Sequence, residues 1–504
     1  MSGSRPNIVF LMADDHQAMA LGCAGHPDIL TPNLDALAEA GTRFDRCYAT
    51  SPLCMPSRAT VFTGLHEYRH GVNFRPNSAS VTAPMSNETW RRYSYATALR
   101  RAGYRTGFAG KWGFPLAVED RASEFDAWGG FEGHGQGSYT TAENPALAGY
   151  ADEHPHVTRA LGAFAGSFIK ECDNDDRPFC LSISFKAPHT PHDNIDPADQ
   201  VLYGGGKHLA RRENWGADKA MLLPPQARLG RQRYLFHEWD DGHYNDHARA
   251  YYRLISGIDA TVGVLRRELD RAGVADNTVI IYTSDNGYYC GSHGLGGKVL
   301  AHEESSRIPL IVVDPRRNPD GGGALSHAVV GTTDFAPTIL DLAGLEAPPD
   351  VDGRSLVPIL DQSEVTIHES LPLISNWGWA EDDRARCMAV VTQRAKYTFW
   401  CYGDNHIAPS EELYDLQQDG LELENLADSP DHADLLEHMR DLYDGHHAAW
   451  AAKCLDAEDF SRHKILFDRH TSWDKKTFRQ PSFPDRARDE LERLYRAEIG
   501  RRPS

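Results

Sequence analysis

Two pairs of polar residues that follow predicted buried strands could together bind a divalent cation. Asp14 and Asp15 come directly after the first apolar run of the chain, and Asp285 and Asn286 follow a later one. Ligands of open α/β sheets bind outside the carboxyl ends of the strands, so we expect the four side chains at one site. Their oxygen atoms suit Ca²⁺ or Mg²⁺. Each pair taken alone is also explained by a helix cap or a turn, and this plainer interpretation stays open.

A cysteine stands at the predicted start of a helix, in the segment CMPSRATVFTG of residues 54–64. Pro56 and Ser57 suit a first helical turn, and Arg58 follows one turn after Cys54. A helix N-terminus lowers the pKa of a thiol and favours a bound anion. Taken alone, these residues favour a buried cysteine beside a capped helix, so they do not assign a reaction.

Strands and helices alternate over the first three-quarters of the chain, which predicts an α/β fold. The longest predicted helix spans residues 246–272, where apolar residues recur every three or four positions. Paired strands at 388–392 and 397–402, followed by a closing helix, indicate a smaller α+β unit. We therefore expect an α/β catalytic domain over residues 1–365 and a C-terminal α+β subdomain over residues 366–504.

The composition excludes several classes of protein. The 504 residues carry 52 Lys+Arg against 72 Asp+Glu, a net charge of −20, so no basic excess is available for nucleic acid. Apolar residues make up 41% of the chain, which excludes a disordered protein. The chain has no apolar run of about 18 residues, so we expect no membrane span. Nine scattered cysteines and an N-terminus without a convincing signal peptide predict a cytoplasmic location.

The motifs together resemble those of the type I, formylglycine-dependent sulfatases of the alkaline-phosphatase-like superfamily. C-x-P-S-R followed by A-T-x-x-T-G, at residues 54–64, is similar to the signature of that family. Further similar segments follow the order of the family over most of the chain, at residues 6–15, 31–37, 109–112, 186–191, 283–287, 297–305 and 412–426. The resemblance implies a large mixed, mostly parallel sheet sandwiched by helices, with a smaller C-terminal α+β subdomain.

The resemblance also implies a metal site and a catalytic pocket. The implied metal ligands are Asp14, Asp15, Cys54, Asp285 and Asn286. Residue 286 is Asn and not His, so the modified site would be all oxygen, which favours Ca²⁺. The implied catalytic residues are Cys54, Arg58, Lys111, His189 and Lys298.

The mechanism implied by the family depends on a modified cysteine. Cys54 would be oxidised to Cα-formylglycine by a separate formylglycine-generating enzyme, and one hydroxyl of the hydrated aldehyde would attack sulfur. A covalent sulfo-enzyme intermediate would then divide the hydrolysis into two steps. Lys111, His189 and Lys298 would surround the sulfate oxygens, and the last two are the candidates for protonating the leaving oxygen.

One position departs from the family pattern. The family usually reads G-K-W-H, and the histidine contacts the modified residue, but this chain has Gly113 in its place. The group that takes up the proton is therefore in doubt. His134 and His293 are the candidate substitutes because they lie in segments similar to pocket loops, and His70 is a candidate for the pocket wall.

The leading hypothesis is hydrolysis of a sulfate monoester, of a carbohydrate or a small organic alcohol or phenol, to the alcohol and sulfate. The partners would be a small sulfated substrate and the maturation enzyme, with homo-oligomerisation left open. One alternative is a phosphate or phosphonate ester hydrolase on the same scaffold, because the same cations suit either tetrahedral anion. The other alternative is a binding protein without catalytic activity, because Gly113 stands where the family has a histidine.

Overall fold

The structure is a computed structural model. It describes residues 5–73, 85–117, 120–131, 138–172, 175–204, 206–318, 322–376, 383–478, 489 and 492–497.

A mixed sheet forms the centre of the larger part of the molecule. Within the described residues it has nine strands: β1 (Asn7–Asp14), β2 (Thr42–Tyr48), β3 (Arg105–Lys111), β4 (Ala127–Phe131), β5 (Phe179–Pro188), β6 (Thr278–Ser284), β7 (Arg307–Val313), β8 (Ala324–Ser326) and β9 (Val330–Gly331). Their order is β4-β3-β5-β1-β6-β7-β2-β8, with β9 also paired to β2. β7 runs antiparallel to both of its neighbours, and the other pairs are parallel. The predicted mixed, mostly parallel α/β sheet is confirmed.

Helices cover both faces of this sheet. The helices that the structure describes in this part of the chain are α1 (Pro32–Ala40), α2 (Cys54–Thr63), α3 (Glu67–His70), α4 (Asn87–Tyr93), α5 (Tyr95–Arg101), α6 (Val157–Cys172), α7 (Pro225–Arg228), α8 (Arg231–Tyr234), α9 (Tyr244–Arg271), α10 (Glu303–Ser306), α11 (Phe335–Leu342) and α12 (Val357–Asp361). Alternate residues of β1 face opposite sides. Phe10 packs with α2, α5 and α11, whereas Leu11 packs with α1, α6 and α9. Both faces of β1 are therefore covered, which explains why its sequence is almost entirely apolar.

A second, antiparallel sheet follows in the chain. Its strands are β10 (Ser370–Ser375), β11 (Cys387–Thr392), β12 (Ala395–Trp400) and β13 (Ser410–Asp415). Helix α13 (Ala433–Lys453) packs on it through residues such as Met439 and Tyr443, and α14 (Glu458–Leu466) packs against α13. The predicted C-terminal α+β subdomain is confirmed in its elements, and the boundary at residues 365 and 366 stays a prediction.

The parallel strands bring several chain segments to one edge of the large sheet. β1 pairs in parallel with β5 and β6, and β3 pairs in parallel with β5, so their carboxyl ends lie together. The N-terminus of α2, which comes shortly after β2, also reaches this edge. No helix among the described residues is long and apolar enough to cross a membrane.

Candidate catalytic site

Cys54, the first residue of α2, lies among charged side chains from the strand ends. Its Sγ donates a hydrogen bond to Asp14 Oδ1 at 3.2 Å and accepts one from Lys298 Nζ at 2.7 Å. Asp14 ends β1, and its other oxygen forms an ion pair with Lys111 at the end of β3. Charged residues from three other segments of the sequence therefore lie around Cys54.

Arg58 lies one turn along α2 from Cys54 and is fully buried. Its Nε donates to Asp285 Oδ2 at 2.8 Å, and its Nη2 lies 3.5 Å from Asp14 Oδ2. Its Nη1 donates to the carbonyl oxygen of Lys111 at 2.9 Å and to Ser184 Oγ. The guanidinium thus fixes the ends of β1, β3, β5 and β6 relative to α2.

The carboxylate and amide oxygens of the site suit a hard divalent cation. Side-chain atoms of Asp14, Asp15, Cys54 and His189 all lie within 4.8 Å of one another. Asn286 Nδ2 donates to Asp15 Oδ1 at 2.6 Å, whereas its Oδ1 is buried with no hydrogen-bond partner in the described chain. A buried acceptor without a donor is costly, and a cation would satisfy it.

Asp285 is the remaining implied metal ligand. Its Oδ1 accepts a hydrogen bond from the Asp15 backbone N–H at 3.2 Å, and its Oδ2 accepts the bond from Arg58. Each carboxylate oxygen has a second lone pair, so these bonds leave capacity for a metal ion. Burial, followed by the charge of Asp14, raises the pKa of Asp285 to about 7.

The charges around Cys54 determine the protonation states of its neighbours. Burial opposes ionisation of Asp14, but the charge of Lys111 and the nearby cations hold its pKa well below the usual range. Burial likewise opposes the positive charge of Lys298, yet Asp15 and the other anionic groups raise the pKa of this lysine well above its usual range. Burial and the charge of Asp14 raise the pKa of the Cys54 thiol, so an unmodified thiol would stay protonated and be a weak nucleophile.

His189 lies beyond the end of β5, with Nε2 at 3.8 Å from Asp15 Oδ2. Its Nδ1 is 2.7 Å from the carbonyl oxygen of Thr190. A carbonyl can only accept a hydrogen bond, so Nδ1 carries a proton and Nε2 of the neutral ring is an acceptor. Burial lowers the pKa of His189 to about 4, which favours the neutral ring at pH 7.

The backbone at Gly113 suits a residue without a side chain. Its φ is +82°, in the left-handed region, and a Cβ at this position would lie 2.7 Å from Arg58 Cδ. A histidine here would require a strained backbone and a displaced arginine. The site therefore has no room for the usual histidine.

The structure does not bring His70 to Cys54. His70 lies behind α2, where Nε2 is 3.1 Å from Thr60 Oγ1 and Nδ1 accepts a hydrogen bond from the Val72 N–H at 3.0 Å. Both ring nitrogens are thus engaged in contacts within the core, which makes a structural role the direct interpretation.

His293 is likewise held away from the cluster, and His134 falls outside the described residues. His293 is fully buried, its Nε2 lies 3.4 Å from Glu304 Oε2, and its ring stacks on that of His302 at 5.0 Å between centroids. In the described part of the chain it makes no contact with Cys54.

Lys186 is a buried residue near the site to which the sequence assigned no role of its own, beyond its place in the segment 186–191. It is buried in β5, three residues before His189, and the charges of Asp14 and Asp15 act on it. A sequence signal for it exists: a lysine within a strand that is otherwise almost uncharged and buried is unusual.

Comparisons with known proteins identify the family of the chain. The model of the sulfatase family matches residues 6–345, and the model of the C-terminal region of N-sulphoglucosamine sulphohydrolase matches residues 291–447. An N-acetylglucosamine-6-O-sulfatase of Bacteroides thetaiotaomicron is 28% identical, with 87% of this chain and 85% of the relative covered. A choline-sulfatase of Rhizobium meliloti is 29% identical, with 93% of this chain and 92% of the relative covered.

A solved structure of a related protein has a similar fold. It is described as a complex with its substrate D-glucosamine-2-N,6-O-disulfate, and it superposes with a TM-score of 0.72 at 26% identity. The match covers 91% of this chain and 100% of the other. The chain is therefore a member of the sulfatase family, whose enzymes hydrolyse sulfate esters, and it has the alkaline-phosphatase-like fold.

Proposed function

We propose that this sulfatase acts on a small sulfate monoester, of a carbohydrate or an organic alcohol or phenol, and that Cys54 modified to Cα-formylglycine is its nucleophilic centre. The observation that carries the proposal is the position of Cys54 at a helix start, between Asp14 and Lys298. When present, the hydrated aldehyde supplies a hydroxyl nucleophile that a protonated thiol lacks.

Asp14, Asp15, Asp285 and Asn286 would hold the divalent cation, with the modified residue as a further oxygen ligand. Two observations support this assignment: the buried Asn286 Oδ1 has no hydrogen-bond partner among the described residues, and carboxylate oxygens of Asp14 and Asp15 lie within 4.8 Å of each other and of Cys54 Sγ. When bound, Ca²⁺ supplies a positive charge that stabilises the negative charge on the sulfate oxygens.

Lys111 and Lys298 would bind the sulfate group. Each ammonium reaches the pocket while paired with a carboxylate, Lys111 with Asp14 and Lys298 with Asp15. These ion pairs hold the two donors in place before the substrate arrives, which is how preorganised charges stabilise a developing anion. Arg58 acts differently in this proposal, because its contacts to Asp285 and Lys111 make it a positioning residue.

Of the two candidates for protonating the leaving oxygen, Lys298 is the one that carries a proton to give. The Nδ1 proton of His189 is engaged by Thr190, so its neutral Nε2 can accept a proton but has none to give. Lys298 presents an ammonium next to the nucleophile position. His189 would instead accept a hydrogen bond within the pocket, and a proton acceptor is what the chain otherwise lacks at Gly113.

The relatives narrow the choice of substrates to test. They include an N-acetylglucosamine-6-O-sulfatase and a choline-sulfatase, and the structural neighbour holds a sulfated glucosamine. The test uses protein that is co-produced with a formylglycine-generating enzyme and loaded with Ca²⁺. Its rates of hydrolysis of glucosamine 6-sulfate, choline sulfate and 4-nitrophenyl sulfate are compared. Hydrolysis of at least one of them, and none by the Cys54→Ala variant, is the expected result.

The alternative of a phosphate or phosphonate ester hydrolase is tested in the same assay. The cations of the pocket suit either tetrahedral anion, and the all-oxygen shell that includes Asn286 favours sulfate esters with Ca²⁺. A phosphonate monoester that is turned over much faster than every sulfate ester would overturn the proposed substrate class.

A further inference from the structure

Lys186 is a buried cation beside the catalytic cluster that the proposed mechanism does not use. Its residue is only 2% exposed. Lys186 lies in β5 two residues before Pro188, whose Cα pairs with that of Asp14, so the lysine lies close to the strand ends that carry the site.

Lys186 differs from the other cations of the pocket in its partners. Lys111, Lys298 and Arg58 each form an ion pair with an aspartate. Among the residues that the structure describes, no carboxylate lies within 4 Å of the Lys186 ammonium. Its recorded contact is with the ring of Tyr139, whose centroid is 5.1 Å from Nζ.

Tyr139 holds this arrangement next to His189. The Tyr139 hydroxyl donates to the His189 carbonyl oxygen at 2.6 Å, so the ring is fixed against the loop that follows β5. A ring face stabilises a cation but carries no net charge, and a buried cation without a counter-ion remains costly. An anion that enters the pocket is the group that would compensate it.

We propose that Lys186 is a specificity-determining residue whose uncompensated charge attracts the tetrahedral anion in the pocket, so that affinity rises with the negative charge of the ligand. The identity of that ligand as a sulfate ester rests on the proposed function, whereas the charge dependence does not. Because a Coulomb energy is proportional to the charge of the ligand, a dianion gains about twice as much free energy from Lys186 as a monoanion.

Two anions of similar shape and different charge test the proposal. Sulfate carries two negative charges and methanesulfonate one. Their inhibition constants are measured against 4-nitrophenyl sulfate hydrolysis at pH 8 and constant ionic strength, in wild type, Lys186→Met and Lys186→Arg. We expect Lys186→Met to weaken the binding of sulfate about tenfold and that of methanesulfonate about threefold. The inhibition constants of Lys186→Arg should stay near those of wild type.

Lys207→Met is the matched control, because Lys207 is exposed and pairs with Asp28 at 2.8 Å. It should change neither constant. An equal loss for both anions in Lys186→Met, or full retention of both, would overturn the proposal. If the wild-type protein hydrolyses no ester, the proposed function fails, and the same anions are then compared by their thermal stabilisation of wild type, Lys186→Met and Lys186→Gln.

Discussion

Lys298 Nζ lies 2.7 Å from Cys54 Sγ and also forms an ion pair with Asp15. The two residues are 244 positions apart in the sequence. This contact places a permanent positive charge next to the atom where the nucleophile must be. A charge at that position can stabilise the sulfate oxygens or protonate the leaving group, and the two roles respond differently to the substrate.

The dependence on the leaving group tests the role of Lys298. If Lys298 protonates the leaving oxygen, Lys298→Ala should lower kcat about 10²–10⁴-fold for an alkyl sulfate and much less for 4-nitrophenyl sulfate, whose leaving group needs no proton. Steady-state kinetics on both esters measures the ratio. His189→Ala should lower both rates by a similar factor.

Lys207→Ala is the control for the loss of a lysine, since it is exposed and paired with Asp28. An equal loss of kcat for the two esters in Lys298→Ala would assign this residue to sulfate binding and contradict the general-acid role.

Removal of the metal ion should abolish turnover reversibly. Dialysis against a chelator is expected to eliminate hydrolysis, and Ca²⁺ is expected to restore it. Asn286→Ala removes a neutral oxygen ligand without changing the charge, so it should raise the Ca²⁺ concentration needed for half-maximal activity about tenfold or more. Full activity in the chelated protein, verified as metal-free by elemental analysis, would contradict the metal assignment.

Gly113 should not tolerate a side chain. Gly113→Ala places a Cβ 2.7 Å from Arg58 Cδ and forces a positive φ on alanine, so we expect a loss of about 1–3 kcal/mol in unfolding free energy together with lower activity. Gly445→Ala is the control, because Gly445 lies within helix α13 with open space around it. That substitution should stabilise the protein by about 1 kcal/mol. Denaturant titration of both variants gives the sign of each change in unfolding free energy. An unchanged unfolding free energy in Gly113→Ala would contradict the close packing of Gly113 against Arg58.

The carboxyl of Glu67 should make stability depend on pH. Glu67 is buried, and burial raises its pKa from 4.5 to about 7 despite the hydrogen bond from Asn376 Nδ2 at 2.7 Å. The folded state therefore holds a proton that the unfolded state loses above pH 4.5, so stability falls as the pH rises from 4.5 to 7 and is constant above it.

Glu67→Gln keeps the acceptor for Asn376 and removes the titration. The unfolding free energy of this variant minus that of wild type should increase by about 3 kcal/mol between pH 4.5 and pH 8. The exposed Glu437→Gln is the control and should show no such increase. A difference for Glu67→Gln that is independent of pH would contradict the buried, protonated carboxyl.

The large elements of the fold followed from periodicity, because burial on one or both faces leaves a direct pattern in the sequence. The predicted helix over residues 246–272 corresponds to α9 at Tyr244–Arg271, and the apolar run before Asp14 is β1. The mixed character of the sheet came from the family resemblance, because the antiparallel direction of β7 has no periodic signature.

The contacts within the site were much harder to predict, because they join residues that are far apart in the sequence. Asp14 and Cys54 could be placed near a site because each follows or begins an element, but the contact of Cys54 with Lys298 has no local signal. His293 is a second example. Its loop is similar to a pocket loop, but its Nε2 contacts Asn214 and Glu304, which are distant from the loop or lie beyond it in the sequence.

The central claim is that a modified Cys54 is the nucleophilic centre of a sulfatase. Mass spectrometry of the peptide that contains residue 54, in protein whose turnover of a sulfate ester has been measured, tests it most directly. The fraction of the peptide carrying the aldehyde should be proportional to kcat across preparations, Cys54→Ala should be inactive, and Cys454→Ala should be unaffected. Full activity in protein whose Cys54 is entirely an unmodified thiol would contradict the account.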